Sequence, residues 1–315
     1  MPLSIQNLIG RLTFRQLQVF KAVYELKSYS KAGDMLGLTQ PAVSSQIRQL
    51  EQALEQRLFE YVGRRLFYTA AGERLAESIS HIFAELSDLQ TDIAALKGQV
   101  AGELRLVAVN TAQYVVPYML RAFLNLHPQV SVSVKVVNRA TALQRLNDNT
   151  DDLVIMAMVP ADKPLTSLPF LDNELVPVVP AGHPLLQQAS ISPQDFLSSQ
   201  LLMREPGSGN RLALEMHCQQ QRLHIKSSME LGSNDAIKHA VMAGLGVAVL
   251  PKLSILPELQ LGKLIIPPIT GFPLRRSWCV VHPQAKHLTP SMQAFLDYIQ
   301  QNIKQFEHIF INQGN

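Results

Sequence analysis

The sequence predicts an α/β fold with an all-α-rich head, in which a helical N-terminal region precedes a long helix and a larger body of alternating strands and helices. Three observations predict it. Apolar residues recur at helical spacing up to residue 54, a heptad repeat runs from 75 to 96, and strand-like apolar runs alternate with helical segments from 104 to 283. With 315 residues the chain is long enough for two or three domains.

The head begins with a helix whose start is marked by Thr13, since TFRQ places a Thr cap three residues before Gln16. A second helix begins near Ser28 or Ser30 and ends at Gly37. Thr39 caps a third helix, which accepts Pro41 in its first turn because an N–H there would be unpaired anyway.

The third helix has one apolar face, formed by Val43, Ile47, Leu50 and Leu54. The opposite face carries Pro41, Ser45, Arg48 and Gln52, flanked by Ser44 and by Gln40 at the helix start, so this face is polar and only lightly charged. Residues 57–69 then predict a hairpin with Gly63 at its turn. Three helices and a two-stranded wing predict a winged helix-turn-helix, in which Arg64 and Arg65 either pair with nucleic-acid phosphates or form an ordinary solvated turn.

The distribution of charge favours DNA as the partner of this head. Residues 1–70 contain nine Lys and Arg and five Asp and Glu, a net charge of +4, whereas the rest of the chain carries a net charge of −1. A basic module on a neutral body is typical of a DNA-binding domain attached to a second function.

A long helix is predicted from Gly72 to Leu96. Its apolar residues recur alternately at spacings of four and three over three heptads. We interpret this seam as a dimerisation helix rather than a helix packed only on its own domain. The seam residues are Leu75, Ile79, Ile82, Leu86, Leu89, Ile93 and Leu96.

The body is predicted as doubly wound α/β sheets divided into two lobes with a cleft between them. Ligands of such sheets bind at the carboxyl ends of strands, where helices begin. The predicted strands are 104–109, 130–137, 152–158, 174–180, 200–205, 227–232, 246–251 and 277–283.

Three loops fit that position and predict a site for a small anion. They are NTAQ (110–113), REPGSGNR (204–211) and LGSNDAIK (231–238). The candidate anion-binding residues are Asn110, Thr111, Gln113, Ser208, Gly209, Arg211, Ser233, Asn234 and Lys238. For any single loop, an ordinary helix cap and a solvated charge are an equally good interpretation.

Other classes of function have little support in the sequence. Phosphate-loop, HExxH and GxSxG motifs are lacking, and the histidines and the two cysteines have no metal-ligand spacing. We therefore predict no catalytic residue, no metal and no cofactor. The N-terminus lacks a secretory signal pattern and no apolar run is long enough to span a bilayer, so a cytoplasmic location without a membrane partner is expected.

Three stretches together resemble the N-terminal domain of LysR-type transcriptional regulators: FRQLQVFKAVYE, SKAGDMLGLTQPAVSSQIRQLE and RLFEYVGRRLFYTAAGERL. The order of segments is similar to that family over essentially the whole chain. NTAQYVVPYML, REPGSGNR, MELGSNDAIKHAVMAGLG and GFPLRRSW resemble the branch that regulates carbon-fixation operons.

The resemblance implies a DNA-binding head at 1–70, a linker helix at 71–100 and an effector domain at 101–315 similar to type 2 periplasmic binding proteins. In it, lobe I would comprise about 101–173 and 277–315, and lobe II about 174–276. The DNA-reading positions of the family match Gln40, Pro41, Ser44 and Ser45, with Arg48 farther along the helix and Arg64 and Arg65 in the wing.

The resemblance also implies partners. They are promoter DNA with dyad symmetry, further copies of the chain in a dimer and tetramer, a small phosphorylated or carboxylated metabolite, and RNA polymerase as a further candidate. Branch effectors are of the type of phosphoglycolate, ribulose bisphosphate, 2-oxoglutarate or NADPH. Three alternatives stay open: a LysR-type regulator of another pathway, a solute-binding protein, and an enzyme acting on a phosphorylated metabolite.

Overall fold

The computed structural model describes residues 10–63, 65–96 and 100–311. The chain divides into two compact units between Leu89 and Gln90. Each unit is described by itself below. The domain boundaries at residues 70 and 100 stay predictions.

Three helices and a hairpin form the first unit up to Tyr68. The elements are α1 (Phe14–Leu26), α2 (Tyr29–Leu36), α3 (Gln40–Leu54), β1 (Phe59–Val62) and β2 (Arg65–Tyr68).

The predicted helix starts are confirmed. The Thr13 hydroxyl accepts from the Gln16 amide at 3.2 Å, and the Gln16 side chain accepts from the Thr13 amide at 2.9 Å, which closes a capping box. Ser28 caps α2, and Thr39 caps α3 with Pro41 in the first turn. Local sequence therefore sets where each helix of the head begins.

The head core forms between the three helices. Val43, Ile47 and Leu50 of α3 are buried against Phe20 and other apolar residues of α1. Gly33 allows α2 to approach the following turn closely, because a Cβ atom there would lie 2.6 Å from the Leu38 carbonyl oxygen. Burial of one face of α3 leaves its other face to the solvent.

The wing is an antiparallel pair in which Phe59 lies opposite Tyr68. It is held to α3 by Glu51, whose carboxylate accepts from the Leu58 amide at 2.8 Å and from the Phe59 amide at 3.4 Å. Gly63 occupies the turn with φ of 64°, as predicted. Arg64 lies outside the described residues.

A 26-residue helix, α4 (Ala70–Ala95), follows the wing. Its seam residues divide into two groups. Leu75 and Ile79 pack into the head core. Exposed apolar side chains follow, with Leu96 directly after the end of the helix: Ile82, Leu86, Leu89, Ile93 and Leu96.

The second unit contains a nine-stranded sheet. Its strands are β3 (Gly102–Val109), β4 (Val130–Val137), β5 (Leu153–Met156), β6 (Leu165–Pro180), β7 (Leu201–Arg204), β8 (Ser227–Leu231), β9 (Val247–Pro251), β10 (Leu264–Ile265) and β11 (Leu274–Pro283). Its helices are α5 (Val116–Leu126), α6 (Arg139–Asn147), α7 (Pro193–Ser198), α8 (Gly209–Gln221), α9 (Asn234–Met242), α10 (Leu256–Gln260), α11 (Pro290–Gln301) and α12 (Ile303–Ile311).

The sheet is mixed, which corrects the expectation of separate doubly wound sheets. Parallel trios lie at the two ends, in the orders β4-β3-β5 and β9-β7-β8. Between them, β11 and β6 run antiparallel to each other and to their outer neighbours. Because β11 pairs with β5 and β6 pairs with β9, the two trios belong to one sheet.

The crossing strand β6 begins at Leu165, well before the predicted start at 174. Pro169 obscures its first half in the sequence, since proline cannot donate to a strand ladder. The structure accommodates it beside a bulge, where the partners of Trp278 and Cys279 shift from Leu171 to Pro169.

Two lobes can be defined by their buried clusters. Lobe I contains β3, β4, β5, α5, α6, α11 and α12 around a core that includes Trp278 and Phe123. Lobe II contains β7, β8, β9 and α7 to α10, with one apolar cluster around Leu214 and another around Ile237. The C-terminal helix α12 buries Phe306 and Phe310 in the core of lobe I. Over the described residues, none of the helices combines the length and apolar character needed to cross a bilayer.

Candidate functional site

A cleft lies between the lobes at the carboxyl ends of β3, β4, β5 and β7, the position where such folds bind ligands. Its lining contains three arginines and no acidic residue. The lining residues are Val109, Asn110, Thr111, Asn138, Arg139, Ala157, Met158, Asn173, Leu175, Arg204, Ser208, Gly209, Asn210, Ala213 and Arg276.

Arg204 is buried and fully engaged by neighbours. Its Nε and Nη2 donate to Glu205 at 2.7 and 2.9 Å, and Nη1 donates to the Asn234 side-chain oxygen at 2.8 Å. The Asn110 side-chain oxygen accepts from Nη2 at 2.9 Å when the Asn110 amide nitrogen faces the Val137 carbonyl. This network links lobe I to lobe II.

Glu205 completes the same network. Burial raises the pKa of its carboxyl, but hydrogen bonds and the charge of Arg204 outweigh burial and lower the pKa below its usual value. The Asn138 amide of lobe I donates to Glu205 at 3.4 Å. Glu205 thus neutralises the charge of Arg204 within the protein. The other two arginines of the lining, Arg139 and Arg276, have no such acidic partner among the described residues.

Arg139 and Arg276 form no ion pair with an acidic residue among the described parts of the chain. Arg139 donates from Nε and Nη2 to the Met158 carbonyl at 3.0 and 2.6 Å, and burial lowers the pKa of its guanidinium. Arg276 donates from Nη1 to the Arg275 carbonyl at 2.7 Å. Two cations held by neutral groups in an acid-free cleft favour an anionic ligand.

The start of α8 adds donors to the same cleft. Ser208 occupies the N-cap position and is buried, yet its hydroxyl makes no capping bond to the helix. The hydroxyl and the first amides of a helix are suited to an oxyanion, and the helix dipole favours negative charge at this end.

The lobes approach closely beside this helix start. A Cβ atom on Gly207, which has φ of +88°, would lie 2.8 Å from the Cβ of Ala140. The Ala140 amide donates to the Gly207 carbonyl at 3.1 Å. Farther along the cleft, the Tyr114 hydroxyl donates to Asp235 at 3.3 Å. The cavity in the cleft has a volume of about 20 Å³.

The structure brings four predicted effector residues into the cleft lining, namely Asn110, Thr111, Ser208 and Gly209. Asn234 lies next to the lining, where it accepts from Arg204 and from Asn210. Arg211 faces an outer pocket that shares Arg139 and Ser208 with the cleft.

The remaining predicted effector residues have other partners or lie outside the lining. Arg211 pairs with Glu215 at 2.7 Å and with Glu230 at 2.8 Å. Lys238 pairs with Glu258 at 3.0 Å, within lobe II. Ser233 caps α9 through the Ala236 amide, and Gln113 sits in a short 3-10 turn, Ala112–Tyr114.

Arg139 and Arg276 were not among the residues that the sequence predicted for this site. Arg139 could have been selected, since Asn138 and Arg139 follow a predicted strand and open a helix in the same way as NTAQ. Arg276 reaches the cleft through the antiparallel pairing of β11 with β6. No local sequence pattern signals that pairing.

The exposed face of α3 forms a second candidate site, on the head. Gln40, Pro41, Ser45 and Arg48 are exposed and Ser44 is half-buried. The Arg48 Nη2 donates to the Ser44 hydroxyl at 3.2 Å, so the two side chains share one surface. In the wing Arg65 is exposed, and the predicted contact of Arg64 concerns a residue that the structure does not describe.

Fold and sites together define a class of protein: a winged helix-turn-helix head joined to a two-lobed ligand-binding body. Residues 14–73 match the family model of bacterial regulatory helix-turn-helix proteins of the lysR family. Residues 97–304 match the LysR substrate binding domain. The chain belongs to the LysR family of transcriptional regulators, as the sequence predicted.

Two characterised relatives align along nearly the whole chain. The RuBisCO operon transcriptional regulator of Acidithiobacillus ferrooxidans is 40% identical over 291 residues, which cover 92% of this chain and 94% of that protein. The HTH-type transcriptional activator CmpR of Synechocystis sp. is 38% identical over 287 residues, which cover 91% and 94%.

Among solved structures, the regulatory domain of CcmR from Synechocystis PCC6803, in complex with 2-PG, is 36% identical and has a TM-score of 0.61. The match covers 64% of this chain and 97% of that domain. The predicted resemblance to regulators of carbon-fixation operons is therefore confirmed, since a relative that is 40% identical is a regulator of a RuBisCO operon.

Proposed function

We propose that the cleft binds a small phosphorylated or carboxylated metabolite and that this ligand controls the DNA binding of the head. The observation that carries the proposal is the pair Arg139 and Arg276, two cations without an acidic partner among the described residues, in a lining that contains no carboxylate. The Ser208 hydroxyl and the start of α8 would supply further donors to the anion.

The first candidate ligand is 2-phosphoglycolate, because the CcmR regulatory domain that resembles this one was solved with 2-PG. Its phosphate and carboxylate match the two cleft arginines that have no acidic partner among the described residues. Ribulose bisphosphate, 2-oxoglutarate and NADPH are the other candidates. The relative that regulates a RuBisCO operon supports carbon-fixation genes as the regulated set.

The head is proposed to bind DNA through the exposed face of α3. Gln40 at the helix start is suited to a bidentate adenine contact, while Ser44 and Ser45 are short enough for close approach to bases and phosphates. Arg48 and Arg65 would contact phosphates, and Arg48 could also contact guanine. The exposed apolar stripe of α4 would pair two chains, so that two heads bind the two halves of a dyad.

Ligand binding would act by changing the packing of the lobes. The cleft volume of about 20 Å³ is small beside the roughly 300–1,000 Å³ of typical ligand pockets, so we expect the lobes or the lining side chains to move when the ligand enters. A ligand that binds one arrangement better shifts the population toward it. In a dimer or tetramer, that shift would alter the spacing of the DNA-binding heads. The proposal includes no catalytic step.

The binding step is tested by titrating the full chain with 2-PG and following the emission of its single tryptophan, Trp278, which contacts the cleft residue Thr111. Arg139→Gln and Arg276→Gln are each expected to weaken binding by about 10- to 100-fold, since hydrogen bonds to charged groups contribute about 1.5–3 kcal/mol. Arg275→Gln is the matched control, because Arg275 pairs with Glu174 and lies outside the lining.

Equal affinity of Arg276→Gln and Arg275→Gln would contradict the assignment of the cleft, and the other candidate ligands would be tested in the same way. The DNA step is tested by mobility shift on promoter DNA of carbon-fixation genes from the same genome, with unrelated DNA as the control. The measurement is made at about 150 mM salt, because salt at this concentration weakens nonspecific contacts with DNA. If the protein binds promoter DNA and unrelated DNA equally at this salt concentration, the DNA-binding proposal is contradicted.

A further inference from the structure

Met158 occupies an unusual position two residues after the end of β5. Its φ is +58°, in the left-handed region that residues other than glycine seldom adopt. It lies in the cleft lining, and its side chain packs against the apolar cluster of lobe II that includes Leu175 and Leu214. A strained residue that joins one lobe to the core of the other favours a functional role.

Met158 also contacts both of the arginines that lack an acidic partner. Its carbonyl oxygen accepts two hydrogen bonds from Arg139, and its sulfur lies 3.1 Å from Nε of Arg276. A thioether is a weak acceptor, whereas a phosphate or carboxylate oxygen is a strong one. The sulfur therefore takes a place at Arg276 that an anion could fill more favourably.

We propose that Met158 is the specificity-determining residue of the cleft: its thioether occupies the anion position at Arg276, and a ligand binds only by displacing it. This inference rests on the proposed function, in which the cleft binds an anion. The small cavity volume agrees with a side chain that fills part of the site. A ligand too weak to displace the sulfur, such as a neutral metabolite of similar size, would be rejected.

The displacement connects anion binding to the packing of the lobes. When the sulfur leaves Arg276, the Met158 side chain has to rotate, and its contact with the apolar cluster of lobe II changes with it. The Met158 carbonyl can keep its bonds to Arg139 during a side-chain rotation, because those bonds involve the backbone. One residue would thus respond to the ligand through its side chain while its backbone still positions Arg139.

The test compares wild type, Met158→Ala and Met158→Leu as full chains, with 2-PG and inorganic phosphate as probes. Met158→Ala removes the bulk and the sulfur, and is expected to tighten 2-PG binding by up to about tenfold, the upper end of the net value of an ordinary hydrogen bond. Met158→Leu keeps the bulk but lacks the sulfur, so it is expected to bind 2-PG more tightly than wild type and less tightly than Met158→Ala. Binding by Met158→Ala that is no tighter than wild type would overturn the proposal.

A second measurement uses the wild-type protein and does not depend on the folding of a variant. Methionine methyl groups are labelled with ¹³C, and the Met158 signal is assigned by its absence in Met158→Leu. This signal is expected to shift on addition of 2-PG by more than those of methionines outside the cleft. An unshifted Met158 signal under saturating 2-PG would overturn the proposal.

The Arg276→Gln variant separates the two proposals. If Arg276→Gln abolishes binding while Met158→Ala binds like wild type, the proposed function stands and the role of Met158 is rejected. If neither wild type nor Met158→Ala binds any of the anions, both are rejected.

Discussion

The indole nitrogen of Trp278 donates a hydrogen bond of 3.0 Å to the hydroxyl oxygen of Thr111. Both residues are buried, and they join the crossing strand β11 to the end of β3 in the cleft. Since Trp278 is the single tryptophan of the chain, its emission reports on one defined place beside the candidate ligand.

We expect Thr111→Val to destabilise the second unit by about 1–3 kcal/mol, because the substitution leaves the buried indole N–H of Trp278 unpaired. Thr111→Ser keeps the hydroxyl and should lose less. Urea unfolding followed by Trp278 emission measures both variants. Equal stability of Thr111→Val and Thr111→Ser would show that the hydrogen bond contributes little.

Gly207→Ala is expected to weaken anion binding, because the added Cβ would lie 2.8 Å from the Cβ of Ala140 and force the lobes apart beside the start of α8. The backbone strain is the same in kind at Gly244, with φ of +78°, where nothing lies within 4 Å of an added Cβ. Gly244→Ala is therefore the control.

A loss of affinity in Gly207→Ala of about tenfold or more is expected, against little change in Gly244→Ala, which corresponds to an interlobe clash of at least about 1.4 kcal/mol. Isothermal titration with 2-PG measures it. Similar affinities in the two variants would show that closure at Gly207 is not needed for binding.

The ion pair between Arg204 and Glu205 predicts a pH dependence of stability. The pKa of Glu205 is lowered in the folded protein, so its contribution is present above the ordinary carboxyl pKa, about 4.3, and is lost as the pH falls through the lower folded value. At neutral pH, Glu205→Gln leaves the buried guanidinium of Arg204 unpaired and should cost about 3–5 kcal/mol.

The stability difference between wild type and Glu205→Gln should shrink as the pH is lowered, measured by urea midpoints at several pH values. Glu230→Gln is the control. Glu230 pairs with Arg211 at a half-exposed site, where an ion pair contributes about 0–1 kcal/mol. A constant difference across the acidic range would contradict the role of the Glu205 charge.

The exposed stripe of α4 predicts a self-association that a single charge can break. Leu89 is 54% exposed in one chain, so Leu89→Glu should leave the folded chain intact and convert a dimer or tetramer to smaller species. His81→Glu places the same charge on an exposed position of α4 outside the seam. Sedimentation velocity distinguishes them, and an unchanged assembly in Leu89→Glu would reject the stripe as the interface.

Two substitutions in the head predict different effects on DNA binding. Gln40→Ala should reduce discrimination at one base pair by about 1–3 kcal/mol. Arg65→Ala should weaken binding to all sequences alike and reduce the slope of log affinity against log salt by about 1. Mobility shifts at several salt concentrations measure both. Equal losses on specific and unrelated DNA for Gln40→Ala would contradict a base contact.

Local signals explain what could be predicted from the sequence. The helix caps depend only on residues within three positions of the cap. Each predicted cap is found where it was expected, at Thr13, Ser28 and Thr39. The strand-end rule found the side of the body that carries the cleft and four residues of its lining.

Long-range pairing explains what could not be predicted. Arg276 enters the cleft because β11 pairs with β6 more than 100 residues earlier. Lys238 stays out of it because Glu258, on another helix, binds its ammonium at 3.0 Å. Nothing in the residues next to either side chain indicates its partner.

Lobe II is an insertion within the chain of lobe I, because the strands β6 and β11 run between the two lobes. The polypeptide enters lobe II along β6 and leaves it along β11, and the elements on both sides of this excursion, β3 to β5 and α11 to α12, belong to lobe I. Lobe II thus has no free chain end. Both covalent connections between the lobes run through the paired strands β6 and β11. A movement of lobe II relative to lobe I therefore bends or twists this pair of strands and does not stretch it.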